Sequence, residues 1–193
     1  MKIQKLPKNK FPKALLEIPQ PPENLWIIGE LPPSDLTYLC VVGSRKFTSY
    51  GKEACEKIIA GLKSYPIVIV SGFAMGIDTI AHKKAMQIGL KTVVFPGSGL
   101  SFEAMYPMRN RLMAGISKAT LIIEAEEKSG TLITARLTTE YNRDLLVVPG
   151  SIFSSNSKGT NRLLHQGATP VVSSEDVLEA LGFELPKDEE KQA

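Results

Sequence analysis

Six short apolar runs, each closed by a turn and most of them followed by a segment of helical periodicity, constrain this chain more than any other feature. They lie at 39–42, 67–70, 91–95, 120–124, 145–148 and 170–172. Runs this short, rich in valine and isoleucine, suit buried strands rather than helices. The segments between them repeat differently. Residues 51–63 carry apolar side chains at 54, 55, 58, 59 and 62, with Glu53 and Lys57 four apart on the other face. Further helices are expected at 78–89, over a segment carrying 109–116, at 131–141, at 160–166 and in a last segment ending at 181. Strand and helix in strict alternation predict an α/β fold, a Rossmann-like, doubly wound and mostly parallel sheet. Such a sheet brings every strand-to-helix loop to one edge.

The first 36 residues break this rhythm. They hold seven of the 13 prolines, and five lysines precede the first acid, Glu17. Proline at this density precludes a long helix or a central strand. Leu15, Leu16, Ile18, Leu25, Trp26, Ile27 and Ile28 are too apolar for a solvated tail. Residues 1–36 are therefore expected to form a Pro/Lys-rich extension packed on a main domain at 37–183, with one short edge strand at 25–28. Residues 184–193 are expected to be a charged, disordered tail.

Composition sets bounds and little else. A hydrophobic fraction of 43%, a charged fraction of 22% and a net charge of +3 are those of an ordinary globular protein, compatible with a polyanionic partner without requiring one. Cys40 and Cys55 form no C-x-x-C pair and predict reduced, buried thiols. The N-terminus has no signal-peptide pattern and no run approaches a membrane span, so a soluble, cytoplasmic protein without membrane contact is expected.

The expected loop edge gathers Gly43-Ser44-Arg45, the turn at 72–76, the turn at 97–99, Ser129-Gly130-Thr131 and Gly150-Ser151. A buried strand ending in Gly-Ser and turning into a helix is a common anion site. Glycine permits close backbone approach, and the first amides of the helix are free to meet a phosphate. Arg45 adds a forked cation there, suited equally to a phosphate or to a structural pair with Asp78. Lys46, Arg109, Arg111, Lys128, Lys158 and Arg162 fall in or after these loops, among Glu103, Glu124, Glu126 and Glu127.

A catalytic set is not found. His82 and His165 stand alone, with no metal-ligand spacing, and both read as surface or packing residues. There is no G-x-S-x-G elbow, no Walker loop and no G-x-G-x-x-G after the first strand. Glu124, at a strand end, is a minor candidate for acid–base work on a nucleotide. No catalytic residue, metal or cofactor is expected.

The motifs that remain occur in a telling order: Gly43-Ser-Arg; Ser71-Gly-Phe-Ala-Met-Gly-Ile-Asp78; Pro107-Met-Arg-Asn-Arg111; Glu124-Ala125; Ser129-Gly-Thr-Leu-Ile-Thr-Ala-Arg136; Val148-Pro-Gly150; and Gly159-Thr-Asn-Arg162. Together they resemble the DprA/Smf family of DNA-processing proteins over most of the chain, from about residue 11 to 182. The resemblance implies an extended Rossmann domain that binds single-stranded DNA, forms a homodimer and helps load the RecA recombinase during natural transformation. It implies a recombination mediator, not an enzyme. It places the DNA pocket on Gly43, Ser44 and Arg45 and on Tyr106, Arg109, Asn110 and Arg111, with Ser129, Gly130 and Thr131 close by. Arginines would hold phosphates and Tyr106, where the family has phenylalanine, would stack on a base.

Three departures stand out. Met75 replaces a frequent arginine, the chain between Leu100 and Tyr106 is short by roughly a strand and a helix, and a C-terminal winged-helix domain is lacking. The alternative is a nucleotide-cleaving phosphoribohydrolase of the cytokinin-activating, lysine-decarboxylase-like type. Its proline-glycine-glycine-x-glycine-threonine signature is missing, since the loop here reads Glu126-Glu-Lys-Ser-Gly-Thr131.

Overall fold

The computed structural model describes residues 2–97 and 106–185, and for 106–108 the backbone alone. Its centre is a six-stranded parallel sheet. In chain order its strands are β3 (Thr37–Val42), β4 (Ile67–Ser71), β5 (Lys91–Val94), β6 (Ala119–Ile122), β7 (Asp144–Val147) and β8 (Thr169–Pro170). In space they run β5-β4-β3-β6-β7-β8. The order therefore reverses between β3 and β6, which pair from Leu39 with Ala119 to Val42 with Ile122. An open α/β sheet binds its ligands at such a reversal, outside the carboxyl ends of the two strands.

The helices are α2 (Ser49–Gly61), α3 (Ile77–Gln87), α4 (Tyr106–Ile116), α5 (Thr131–Glu140), α6 (Lys158–His165) and α7 (Ser174–Ala180), after a four-residue α1 (Lys13–Leu16). Side chains alternate across a strand, and here that alternation builds two cores. Leu39, Val41, Ile67, Ile69 and Leu121 face α2, α3 and α7, against Cys55, Ile59, Leu62, Ile77, Ala81 and Leu178. Cys40, Val42, Val68, Val70 and Ile122 face the other way, against Met113, Ile116 and Ala135. With both faces covered, β3, β4 and β6 read as near-continuous apolar runs. The exposed pattern of β5 and β8 belongs to sheet edges.

Part of the second core comes from the proline-rich segment: Leu6, Phe11, Leu15, Ile18 and Leu25 are all buried there. Residues 26–28 are a strand, as the sequence suggests, but not at the edge of the main sheet. β2 (Trp26–Ile28) instead pairs antiparallel with β1 (Ile3–Lys5) in a separate ribbon, Ile3 opposite Ile28 and Lys5 opposite Trp26. At the other end Phe183 and Leu185 pack on the first core, Phe183 edge-on to Tyr65 at 5.3 Å. The rest of the charged tail, 186–193, lies outside the described residues, as do the whole shortened stretch between Leu100 and Tyr106 and most of the turn expected at 97–99.

Both cysteines are free and buried. Burial raises the Cys40 thiol far above its ordinary pKa and pushes that of Cys55 up to about 12, so neither is a ready thiolate. Among the described residues no helix is long and apolar enough to cross a membrane.

Candidate nucleic-acid interface

A cleft of about 760 Å³ opens at the carboxyl ends of β3 and β6. Val42 and Gly43 form its floor. Ser44, Arg45 and Lys46 form one wall, and Ser129, Gly130, Thr131, Ile133 and Thr134 at the start of α5 form another. Arg109, Asn110 and Met113 come in from α4, Ala74 from the β4–α3 loop, Asp78 from the start of α3, and Glu126 from the loop after β6.

Local bonds hold this mouth open. The Thr131 hydroxyl donates to the Gly43 carbonyl at 3.2 Å, joining the β3 turn to α5 across the reversal point. The Ser129 hydroxyl accepts from the Thr131 amide at 3.2 Å, and the Ser44 hydroxyl accepts from the Lys46 amide at 3.1 Å. Behind the wall, buried Glu124 accepts from the Thr48 amide at 2.9 Å and its hydroxyl at 2.6 Å. Thr48 in turn caps α2 through the Gly51 amide at 3.1 Å. Glu124 is thus occupied in fixing the entry to α2.

Asp78 is 4% exposed and accepts from the Gly72 amide at 3.1 Å and the Ala74 amide at 3.4 Å. Burial raises its pKa, opposed by the Ala74 amide, the Arg109 guanidinium and the Gly72 amide. The carboxylate clamps the β4–α3 loop; no bridge to Arg45 forms. Among the described residues Arg45 has no ion-pair partner, and it stands exposed at the lip of the cleft.

The other two arginines expected at the site have different duties. Arg109 lines the cleft, but its Nη1 donates to the Phe95 carbonyl at 2.7 Å and to the Gly72 carbonyl. It ties together the ends of β4 and β5. Arg109→Ala is expected to destabilise the fold by about 2 kcal/mol, since two carbonyls lose a charged donor. Urea denaturation should show this, whereas removing Arg45 should leave the midpoint in place. Arg111 does not line the cleft. Its guanidinium donates to the Gln20 carbonyl, on the N-terminal segment.

Of the ten residues named from sequence, Gly43, Ser44, Arg45, Arg109, Asn110, Ser129, Gly130 and Thr131 come together, and the Tyr106 side chain lies outside the described residues. Lys46, Asp78 and Glu126 were expected at this edge only as charges, and Val42, Ala74, Met113, Ile133 and Thr134 were not expected to line a site. Of these, Lys46 carried the clearest signal, as a second cation beside Arg45.

The model of the family described as DNA recombination-mediator protein A matches residues 2–108 and 101–182. The chain belongs to the DprA/Smf family. It is 34% identical to DNA processing protein DprA of Streptococcus pneumoniae, over 90% of this chain and 72% of that one. That alignment spans 203 positions, more than the 193 residues here, and the two family-model segments meet at the shortened stretch before α4. An X-ray structure of the same pneumococcal protein superposes with a TM-score of 0.84, covering 96% of this chain and 76% of that one at 33% identity. DNA processing protein A of Helicobacter pylori, described for its single-stranded DNA binding mode, superposes with a TM-score of 0.76 at 26% identity, over 93% and 95% of the two chains. Against Protein Smf of Escherichia coli the identity is 32% over 91% of this chain, which spans 55% of that protein's length. These structures share the α/β, Rossmann-like architecture described above.

Proposed function

We propose that the cleft binds single-stranded DNA, and that the protein serves as a recombination mediator in the cytoplasm. The observation that carries this reading is Arg45: an exposed guanidinium without an ion-pair partner among the described residues, at the sheet's reversal point and beside a second free lysine. Such a cation is available to a phosphate at no cost in broken bonds. The turns at Gly43-Ser44 and Ser129-Gly130-Thr131 add hydroxyls and close backbone approach, Arg109 and Asn110 edge the same space, and Tyr106 begins the helix, α4, that carries them. Tyr106 would offer a ring for a base. Membership of the family adds homodimer formation, RecA loading and a place in DNA uptake to the proposal.

The test is a salt titration of binding to a fluorescent oligo-dT, against a duplex of equal length. Tight, salt-sensitive binding to the single strand is expected. Arg45→Ala should weaken it and reduce the slope of log K against log salt by about one, because one phosphate contact goes. An unchanged slope removes Arg45 from the interface, and no preference for the single strand overturns the reading. Nothing favours the nucleotide-cleaving alternative: Glu124, its needed carboxylate, is buried and committed to Thr48.

A further inference from the structure

Next to the cleft two loops present large apolar side chains to solvent. Phe47 and Tyr50 follow the Arg45-Lys46 wall, 41% and 51% exposed, and Ile152 and Phe153 follow β7, 79% and 93% exposed. The loops are joined. Tyr50 donates its hydroxyl to the Pro149 carbonyl at 2.7 Å, and the Asn156 side-chain amide donates to the Lys46 carbonyl. The second loop is also fixed from within. Asn161 bonds both the amide and the carbonyl of Gly150, at 3.2 and 3.0 Å, and the Phe153 amide donates to the Ser151 hydroxyl at 3.2 Å. A phenylalanine almost wholly in water on a hydrogen-bonded turn contributes nothing to the core. Clustered apolar exposure of this kind marks a binding surface.

The charge around the patch selects the occupant. From 36 to 52 the chain has Arg45, Lys46 and Lys52 and no acid, and from 145 to 174 it has Lys158 and Arg162 and no acid. The nearest carboxylate, Glu124, is buried and bonded to Thr48, while Glu126 lies in the cleft itself and Glu53 is on α2. Exposed rings set among unopposed cations, and continuous through Lys46 with a cleft for phosphates, form a stacking platform for single-stranded nucleic acid. A duplex, whose bases are already stacked, gains nothing there.

We infer that the strand leaving the cleft runs over Lys46 onto this shelf, where Phe47 and Phe153 stack on its bases, so that the binding site extends beyond the pocket. This rests on the cleft being a single-stranded-DNA site. The experiment measures anisotropy with oligo-dT of about 4 and about 16 nucleotides on the wild type, Phe153→Ala, Phe47→Ala and Phe153→Leu. Phe153 is outside the core, so its variants should fold normally, and a urea midpoint checks this. The alanine variants are expected to bind the long oligonucleotide about tenfold or more weakly, the short one unchanged, and both with the wild-type salt slope. Phe153→Leu should behave like the alanine variant, since leucine has no ring.

Wild-type affinity of Phe153→Ala for the long strand overturns the shelf while leaving the cleft intact. Full affinity in Phe153→Leu overturns stacking, and a change of sedimenting mass in Phe153→Ala assigns the patch to a second copy of the chain instead. Failure of the wild type to bind either oligonucleotide is a different result, and it removes the reading of the cleft together with the shelf.

Discussion

Gly76→Ala is expected to destabilise the protein by about 3 kcal/mol or more, with the cleft lost along with the stability. Gly76 has φ +93° and ψ −136°, a backbone conformation that is essentially reserved for glycine and costs another residue on the order of 1–3 kcal/mol. Space makes matters worse. A Cβ there would sit 2.4 Å from the Ser44 carbonyl oxygen, 2.7 Å from the Arg45 Cα and 2.8 Å from the Arg45 carbonyl oxygen. These are main-chain atoms, without a flexible end that can swing aside. The turn is further bound by the Ile77 amide, which donates to the Ser44 carbonyl at 3.2 Å. Relief of the overlap must therefore move Ser44 and Arg45, the wall of the site. The check is a denaturant melt alongside oligo-dT binding. A melting midpoint within error of the wild type would show that the loop yields easily, and the argument would be wrong.

The second large effect is one of pH. His82 is 3% exposed, and neither ring nitrogen has a hydrogen-bond partner among the described residues. Its nearest aromatic neighbour is Phe73, with ring centroids 6.3 Å apart. Burial pushes the imidazole pKa down to about 4, from an ordinary 6.5, with a weaker opposite pull from the Ser71 backbone. The unfolded chain therefore binds a proton through the interval from about 6.5 to about 4, while the folded one stays neutral. Stability attached to this residue is complete above pH 6.5 and is lost as the pH falls through that window. The loss amounts to about 3 kcal/mol by pH 4. His82→Leu removes both the titration and a buried imidazole with at most a weak bond to the Ser71 backbone, so it should hold its stability at pH 7 and lose that part of the acid slope. Urea melts at pH 7, 5.5 and 4 decide it, and parallel slopes for the two proteins would count against His82 as the source.

Asp78 works in the opposite direction. Its raised pKa means that the folded protein takes up a proton before the unfolded chain does as the pH falls. Stability attached to Asp78 is therefore greatest below the ordinary carboxylate pKa and is lost as the pH rises through its folded value. The Ala74 amide, Arg109 and the Gly72 amide oppose the raised pKa by favouring the charged form. This is also why removing Arg109 reaches further than the two carbonyls it touches.

How much of this was legible in the sequence differs from residue to residue. The alternation of Leu39, Cys40, Val41 and Val42 between two apolar faces was written in the run itself, since a strand's period is fixed by its backbone. The helix from Ser49 to Gly61 was equally legible, from spacing alone. Parallel alternation then sent Gly43-Ser44-Arg45 and Ser129-Gly130-Thr131 to the same edge, and the family motifs named most of the residues lining the cleft. The β1–β2 ribbon was not legible, because three-residue strands leave almost no periodic trace and their pairing joins residues 21 to 25 apart.

The sequence determined which residues could form strands, which face each would cover and at which edge the loops would gather, because those are consequences of local backbone geometry. It could not rank Arg45, Arg109 and Arg111, which are the same side chain in similar company. Only the tertiary structure did so, by bringing the carbonyls of Gly72 and Phe95 to Arg109 and that of Gln20 to Arg111, across 37, 14 and 91 residues. Among the described residues Arg45 was left without an ion-pair partner. A cation's freedom to bind is set by what the rest of the chain brings near it, and that is settled by packing between distant segments rather than by any pattern along the chain.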